Sequence, residues 1–312
     1  MLREETRKAV VSALLFVAIG AYLYLRFTAP PQPTAPGFEV LDSWRTVINV
    51  TITLPFLLAW GFGAFAVLYL MTASRRTPDE ASQRMFRLLG YGVFALVLGS
   101  WITSLISQIG VNFVPDEPRL EAMVTIARNY AYMLFPLAGF IFIYLASKTR
   151  RAREDRGKQN WPPAVLLVSI LGALWTAIIF TNESRQVSAL AFGEPSYYIN
   201  DPLIVLTLIT PTLIAWVLGI AAALNFSDLE SGGTLADRQA FSRIVHGLLL
   251  AVFNSMILNG LLSAGSERLL AGSVAFLLAI VYVFVLLAVF SYWMICSGAR
   301  KLLSGLHYEH QE

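Results

Sequence analysis

The amino-acid sequence predicts an all-α, polytopic membrane bundle of eight transmembrane helices, organised as two parallel four-helix repeats. Three observations carry this expectation. The first is composition: 56% of residues are hydrophobic, 14% are charged and the mean hydropathy is +0.63, which lies outside the range of soluble domains. A chain of 312 residues holds about eight spans of ~20 residues with their loops. The second is an internal repeat. Thr51 to Leu68 reads TITLPFLLAWGFGAFAVL, and 156 positions later Thr207 to Leu224 reads TLITPTLIAWVLGIAAAL. Thr51/Thr207, Pro55/Pro211, Ala59/Ala215, Trp60/Trp216, Gly63/Gly219 and Ala66/Ala222 all return, a self-similarity that bears on architecture before any single residue does. The third is the sorting of basic residues between alternate loops, described below.

The spans follow in order. A charged start, MLREETRK, leads into apolar Ala9 to Leu25, read as a retained first helix because no clean small-x-small cleavage site precedes TAPPQPTAPG. Four prolines within 28–37 preclude a helix there and predict an extended outer loop. The second span is expected over 46–72, ending at Arg75-Arg76, and the third over 86–109. The fourth, 122–147, stops at the basic run KTRRAREDRGK. The fifth begins at Pro162-Pro163, suited to a first helical turn, and ends near Asn182. The sixth runs from Pro202 to before Ser227, the seventh over 241–264 and the eighth over 269–296. GSER alone joins the last two, which predicts a tight antiparallel hairpin. Ser231-Gly232-Gly233 is a flexible linker, too short to cradle a phosphate.

The repeat extends past the opening stretch. At an offset of 155, Phe86, Gly92, Ser100 and Ile102 meet Phe241, Gly247, Ser255 and Ile257; at 152, Tyr130, Ile143 and Lys148 meet Tyr282, Ile295 and Arg300. Four helices per unit is an even number, so both copies keep one orientation, related by an axis along the membrane normal. Residues 1–158 form the first repeat with its basic cytoplasmic linker, and 159–312 form the second with a short cytoplasmic tail. An inside N-terminus places 17 of the 23 Lys and Arg on the cytoplasmic side, leaving Arg26, Arg45, Arg119, Arg128, Arg185 and Arg268 outside. This bias predicts a plasma (inner) membrane protein with both termini cytoplasmic.

At 100° per residue, Thr51, Pro55, Ala59 and Gly63 share one stripe, and Thr207, Pro211, Ala215 and Gly219 repeat it. Ala-x-x-x-Gly spacing lets helix backbones approach closely in lipid. Each proline removes the donor for a carbonyl four residues earlier, a threonine in both copies. The stripes are candidate packing faces or, alternatively, the walls of a cavity between the repeats.

Chemistry-bearing groups are sparse. No Asp or Glu falls within the apolar cores, which argues against proton- or sodium-coupled transport. A buried lysine for a retinal Schiff base is also missing. His246 is the one histidine in a span, which removes a bis-histidine haem, and no H-E-x-x-H helix occurs. A dyad of His246 with Ser242 or Ser255 has no G-x-S-x-G motif behind it, so His246 reads as a hydrogen-bonded interfacial residue. Arg128 is expected to snorkel toward Asp116 or Glu117, and Asn129, Asn254 and Asn259 to bond between helices. The single cysteine, Cys296, excludes a disulfide framework and reads as a small apolar residue. No catalytic residue, cofactor, metal or nucleic-acid partner is expected; the expected partners are membrane lipids and a protein partner or a second copy.

Tyr197-Tyr198 with Asp201, Thr207 with Pro211 and Trp216, and the late Gly298-Ala299-Arg300-Lys301-Leu302 resemble a group of eight-helix integral membrane proteins of ultra-small candidate-phylum (Patescibacteria-type) bacteria. The resemblance is strongest over the second half. It implies architecture and membrane location, since that family carries no assigned activity. Function then divides into three classes: a scaffold, partner-binding or ligand-sensing membrane component; a facilitative carrier of a neutral or apolar solute; and an intramembrane enzyme. The first fits the missing catalytic groups and short loops, and the carrier is the leading alternative.

Overall fold

The computed structural model describes residues 19–27, 40–113, 118–154, 202–230, 235–264 and 274–308, with single positions at 13, 16, 17, 166 and 170. The described residues are helical almost throughout. We label the helices α1 (19–27), α2 (Val40–Arg76), α3 (Glu80–Phe113), α4 (Pro118–Glu154), α5 (Pro202–Glu230), α6 (Leu235–Ala264) and α7 (Val274–Tyr308). Five contain stretches long and apolar enough to cross a membrane: Thr46–Arg76, Glu80–Gly110, Ile126–Thr149, Thr210–Ser227 and Val281–Leu306. Apart from positions 166 and 170, the predicted fifth span lies outside the described residues, as do the Ser231-Gly232-Gly233 linker, GSER and the proline-rich 28–37 segment.

Most helices outrun the apolar stretches that announced them. α2 covers Val40–Arg76 against the predicted 46–72, α3 Glu80–Phe113 against 86–109, and α4 Pro118–Glu154 against 122–147. α6 begins at Leu235 rather than 241, and α7 continues to Tyr308, well past 296. Hydropathy marks the part of a helix that suits hydrocarbon. The backbone ladder continues past it wherever charged but helix-compatible residues such as Arg, Glu and Lys follow.

One link is fully described, the Thr77-Pro78-Asp79 turn. Arg75 and Arg76 occupy the last turn of α2, where cations suit the helix dipole. Asp79 then caps α3, its Oδ2 accepting from the Ser82 amide at 2.9 Å and the Ser82 hydroxyl at 2.8 Å. Gln83 Nε2 donates to the Thr77 carbonyl at 2.8 Å, and the Ser74 hydroxyl donates to the Gln83 carbonyl at 2.8 Å. These bonds tie the end of α2 to the start of α3.

Six helices close into a ring, each packed on the next: α2 on α3, α3 on α4, α4 on α5, α5 on α6, α6 on α7, and α7 back on α2. Side-chain contacts give the directions. Trp60 meets Ser100 while Ser74 meets Gln83, so α2 and α3 are antiparallel. Gly92 meets Ile143 while Gly110 meets Val124, so α3 and α4 are antiparallel. Along the α4–α5 seam Tyr130 meets Thr207 and Ser147 meets Asn225, which makes that pair parallel. Trp216 to Ser255 and Phe226 to Phe241 set α5 against α6. Gly247 to Ile295 and Gly298 to Ala240 set α6 against α7. Thr51 to Tyr282 and Gly63 to Tyr292 make α7 and α2 parallel. It follows that α2, α4, α5 and α7 share one direction and that α3 and α6 oppose them.

One core cluster occupies the bundle, including fully buried Ala66, Leu70, Ala73, Ala222, Ala223 and Phe226. Large side chains such as Leu54, Leu58, Phe65, Phe94, Leu134, Phe253 and Phe290 are exposed. On α2 the buried positions Ala59, Gly63, Ala66, Leu70 and Ala73 and the exposed positions Leu54, Leu58 and Phe65 fall on opposite sides at 100° per residue. An apolar core with an apolar exterior is what a bundle solvated by lipid requires. α1 lies outside the ring and antiparallel to α2. Tyr22 stacks edge-on to Trp60 at 5.1 Å between centroids, and Arg26 Nη2 donates to Asn49 Oδ1 at 3.0 Å.

Candidate functional site

The residues singled out by the repeat lie at the seams of the ring. Thr51 and Thr207 are exposed, Pro55 and Pro211 half-buried, and Ala59, Gly63, Ala215 and Gly219 buried. A Cβ built on Gly63 would meet Val97 Cγ2 at 2.3 Å and the Tyr292 ring at 3.2 Å. On Gly219 it would meet Val252 Cγ2 at 2.4 Å and the Phe140 ring at 2.9 Å. A methyl group at either glycine would force the facing Val97 or Val252 side chain to shift.

Residues that share a sequence offset make matching contacts in the two halves of the chain. Trp60 Nε1 donates to Ser100 Oγ at 3.0 Å, and Trp216 Nε1 donates to Ser255 Oγ at 3.1 Å. The site of a Cβ on Gly92 lies 2.4 Å from Ile143 Cγ1, and that on Gly247 lies 2.6 Å from Ile295 Cγ1. Tyr130 OH bonds Thr207 Oγ1 at 2.8 Å, and Tyr282 OH bonds Thr51 Oγ1. The Thr51 hydroxyl also donates to the Val47 carbonyl at 2.7 Å, so Tyr282 is the donor in its pair. The tryptophan bonds hold neighbouring antiparallel helices together. The tyrosine bonds instead join 40–154 to 202–308, across the two parallel seams.

Between α4, α5 and α6 lies a cavity of about 10 Å³ lined by Tyr132, Met133, Pro136, Phe140, Thr212, Ala215, Trp216 and Ser255, the space of about one water molecule. Of the stripe residues, Ala215 borders it. Sequence reasoning missed Pro136, Tyr132 and Thr212, although a proline inside an apolar span is legible as a break in the hydrogen-bond ladder. Nearer the end where α4 and α5 finish, the Asn225 amide donates to Ser147 Oγ at 3.1 Å, both side chains being buried.

The remaining polar residues sort as follows. His246 is exposed, and its Nδ1 donates to the Ser242 carbonyl at 2.6 Å. With Nδ1 carrying the proton, that nitrogen cannot serve as a base toward the Ser242 hydroxyl 3.5 Å away. Ser255 is nine residues further along α6, on the opposite side of the helix, and is bonded to Trp216. Asn254, expected to bond between helices, is buried with Oδ1 unpartnered among the described residues. Asp116, Glu117 and the Asn259 side chain lie outside the described residues. Cys296 is half-buried and unpaired. Among the described residues no group of three His, Cys, Asp or Glu converges as a metal site would require.

Fold and seams together define an all-α bundle with several candidate membrane spans. Compared with protein-family models, curated proteins and solved structures, the chain matches none.

Proposed function

We propose that the protein is a multi-pass membrane component that acts by binding or holding a protein partner rather than by passing a solute. One observation carries this reading: the helices of the ring share one core cluster, with Ala66, Ala222, Leu70 and Phe226 fully buried in it. A facilitative carrier needs an interior that opens alternately to each side. Here the small-residue stripes are packing faces, closed by Val97 and Val252 against Gly63 and Gly219. Reconstitution into vesicles tests the reading. Osmotic swelling in urea, glycerol and small sugars should match that of empty vesicles, and solute-specific swelling would instead establish the carrier.

The architecture we infer is two parallel repeats of four helices, in which α2, α3 and α4 correspond to α5, α6 and α7. The common direction of α2 and α5 and the doubled hydrogen bonds support it. The parallel α4–α5 seam puts the end of α4 and the start of α5 at opposite ends of the bundle. Residues 155–201 therefore have to connect those ends, the role read from sequence for the fifth span. The orientation has both termini and the 148–160 loop cytoplasmic, in a plasma membrane. The ends of α2, α4 and α7 and the starts of α3 and α6 gather Arg75, Arg76, Arg84, Arg87, Lys148, Arg238, Arg243, Arg300 and Lys301 at one level. Cysteines introduced at Gly157 and Ser188, with Cys296 replaced by Ala, check this. Ser188 should react with an impermeant maleimide on intact cells and Gly157 only after lysis; the reverse pattern would invert the topology. Likeness to the eight-helix candidate-phylum family remains part of this proposal and extends to architecture alone.

A further inference from the structure

On the outside of the ring, α3 carries cations and aromatic carbon along one exposed stripe. Arg84, Arg87, Tyr91 and Phe94 are all exposed, and their spacing puts them on one side of the helix at 100° per residue. Neither guanidinium has a hydrogen bond, ion pair or ring contact among the described residues. Glu80 lies one turn nearer the helix start on the same stripe, so two cations outnumber one carboxylate. Tyr91 continues the surface onto α4, its ring 6.1 Å from that of Phe142. The contacts of Gly92 with Ile143, Gly99 with Phe135 and Gly110 with Val124 fix the antiparallel register of the two helices. That register brings Lys148, exposed near the end of α4, level with Arg87. Lys148 is already engaged by the Tyr144 ring, 4.8 Å from its Nζ, so it adds positive potential while the two arginines hold the open donors.

The uncharged part of the α3 span begins after Arg87. This sets the guanidiniums at head-group depth, with Tyr91 and Phe94 one and two turns further along, beside the hydrocarbon. We propose that this face of α3 and α4 binds an anionic phospholipid, its phosphate held by Arg84 and Arg87 and an acyl chain lying along Tyr91, Phe94 and Phe142. The guanidinium fork matches phosphate oxygens in geometry and charge. A zwitterionic lipid would bring an ammonium beside two guanidiniums, which like charge disfavours. A water-soluble acidic partner would use the arginines and leave the aromatic stripe uncovered. The inference goes beyond the functional reading, and its failure would leave the vesicle-swelling result untouched.

Native mass spectrometry of the full chain tests it, with the protein released from micelles that contain phosphatidylglycerol and phosphatidylcholine of identical acyl chains in equal amounts. Phosphatidylglycerol should be the lipid retained. Arg84→Gln with Arg87→Gln should weaken its binding by about fivefold for each arginine lost. Arg75→Gln with Arg300→Gln removes the same charge at the same end of the bundle and should leave binding nearly unchanged. All four positions are exposed, so no buried contact is lost in either variant. Glycerophosphoglycerol, the head group without chains, should fail to displace the lipid. Equal retention of the two lipids by the unmodified protein would overturn the proposal. So would an equal loss in the two paired variants, or displacement by the head group alone.

Discussion

The two parallel seams of the ring, α7 on α2 and α4 on α5, begin alike and then diverge. At one end each has a tyrosine-threonine bond, Tyr282 to Thr51 and Tyr130 to Thr207. Midway, the α7–α2 seam closes with Phe56 against Phe284, whereas the α4–α5 seam has Thr212, Tyr132 and a water-sized cavity. Further along, the α4–α5 seam adds Asn225 to Ser147, where the aligned positions on α2 and α7 are Tyr69 and Ala299. The contrast teaches that two parallel seams have been closed by different means, dispersion midway along one and hydrogen bonds along the other. In lipid neither is intrinsically stronger: packing contacts are individually small, and interhelical hydrogen bonds average about 0.6 kcal/mol.

The comparison can be broken most forcefully where the two halves are alike. Gly92→Ala and Gly247→Ala each drive a Cβ to within 2.7 Å and 2.8 Å of a backbone oxygen, that of Gly139 and of Ser291. Each should cost about 1–3 kcal/mol from overpacking, read as a lowered unfolding midpoint in denaturing detergent, with similar losses in the two halves. A loss confined to one half would show that the halves are not packed equivalently. Gly61 has nothing within 4 Å of its Cβ position, so Gly61→Ala should leave stability equal or raise it by about 0.5–1 kcal/mol.

Serine replacement sharpens the comparison between the halves. Ser100→Ala leaves the buried Trp60 N–H without its acceptor, at a cost of about 1–3 kcal/mol. Ser255→Ala removes the corresponding acceptor from the Trp216 N–H and should cost a similar amount. Clearly unequal losses would mean that the two tryptophan bonds are not equivalent. Asn225→Leu, of similar volume, removes the bond to Ser147 and should lower stability by about 0.6–1 kcal/mol. The smallest effects belong to Tyr130→Phe and Tyr282→Phe, about 0.6 kcal/mol each. They sit on separate seams with no shared partner, so the double variant should show the sum; strong coupling would mean that the seams move together.

Much of this was legible before any coordinates. Hydropathy located α2, α3, α4, α5, α6 and α7 to within about two turns at each end except the end of α7, because a bilayer requires about twenty apolar residues wherever a helix crosses it. The offsets 156, 155 and 152 set Trp60 beside Trp216, Ser100 beside Ser255 and Tyr130 beside Tyr282 in sequence, and each of these residues makes a hydrogen bond of the same kind. Helix ends were misjudged, since Arg, Lys and Glu stop a hydropathy signal without stopping a helix.

What only the tertiary structure decided is which of those residues meet. Sequence offsets say that Thr51 resembles Thr207 and that Tyr130 resembles Tyr282; they carry no information that Tyr130 bonds Thr207 and Tyr282 bonds Thr51, crossing from one half to the other. Ring closure joins α7 to α2 over more than two hundred residues, and contacts at that separation leave no local periodicity in the chain. The cavity was hidden for a related reason. Thr212 and Phe56 are each unremarked within an apolar span, and their difference acquires meaning only when Pro136 and Tyr132 arrive beside Thr212 from another helix. Composition determines the solvent, and periodicity determines the helices. Which side chains meet across a seam is set by helix packing, because contacts between distant segments leave no periodicity in the chain.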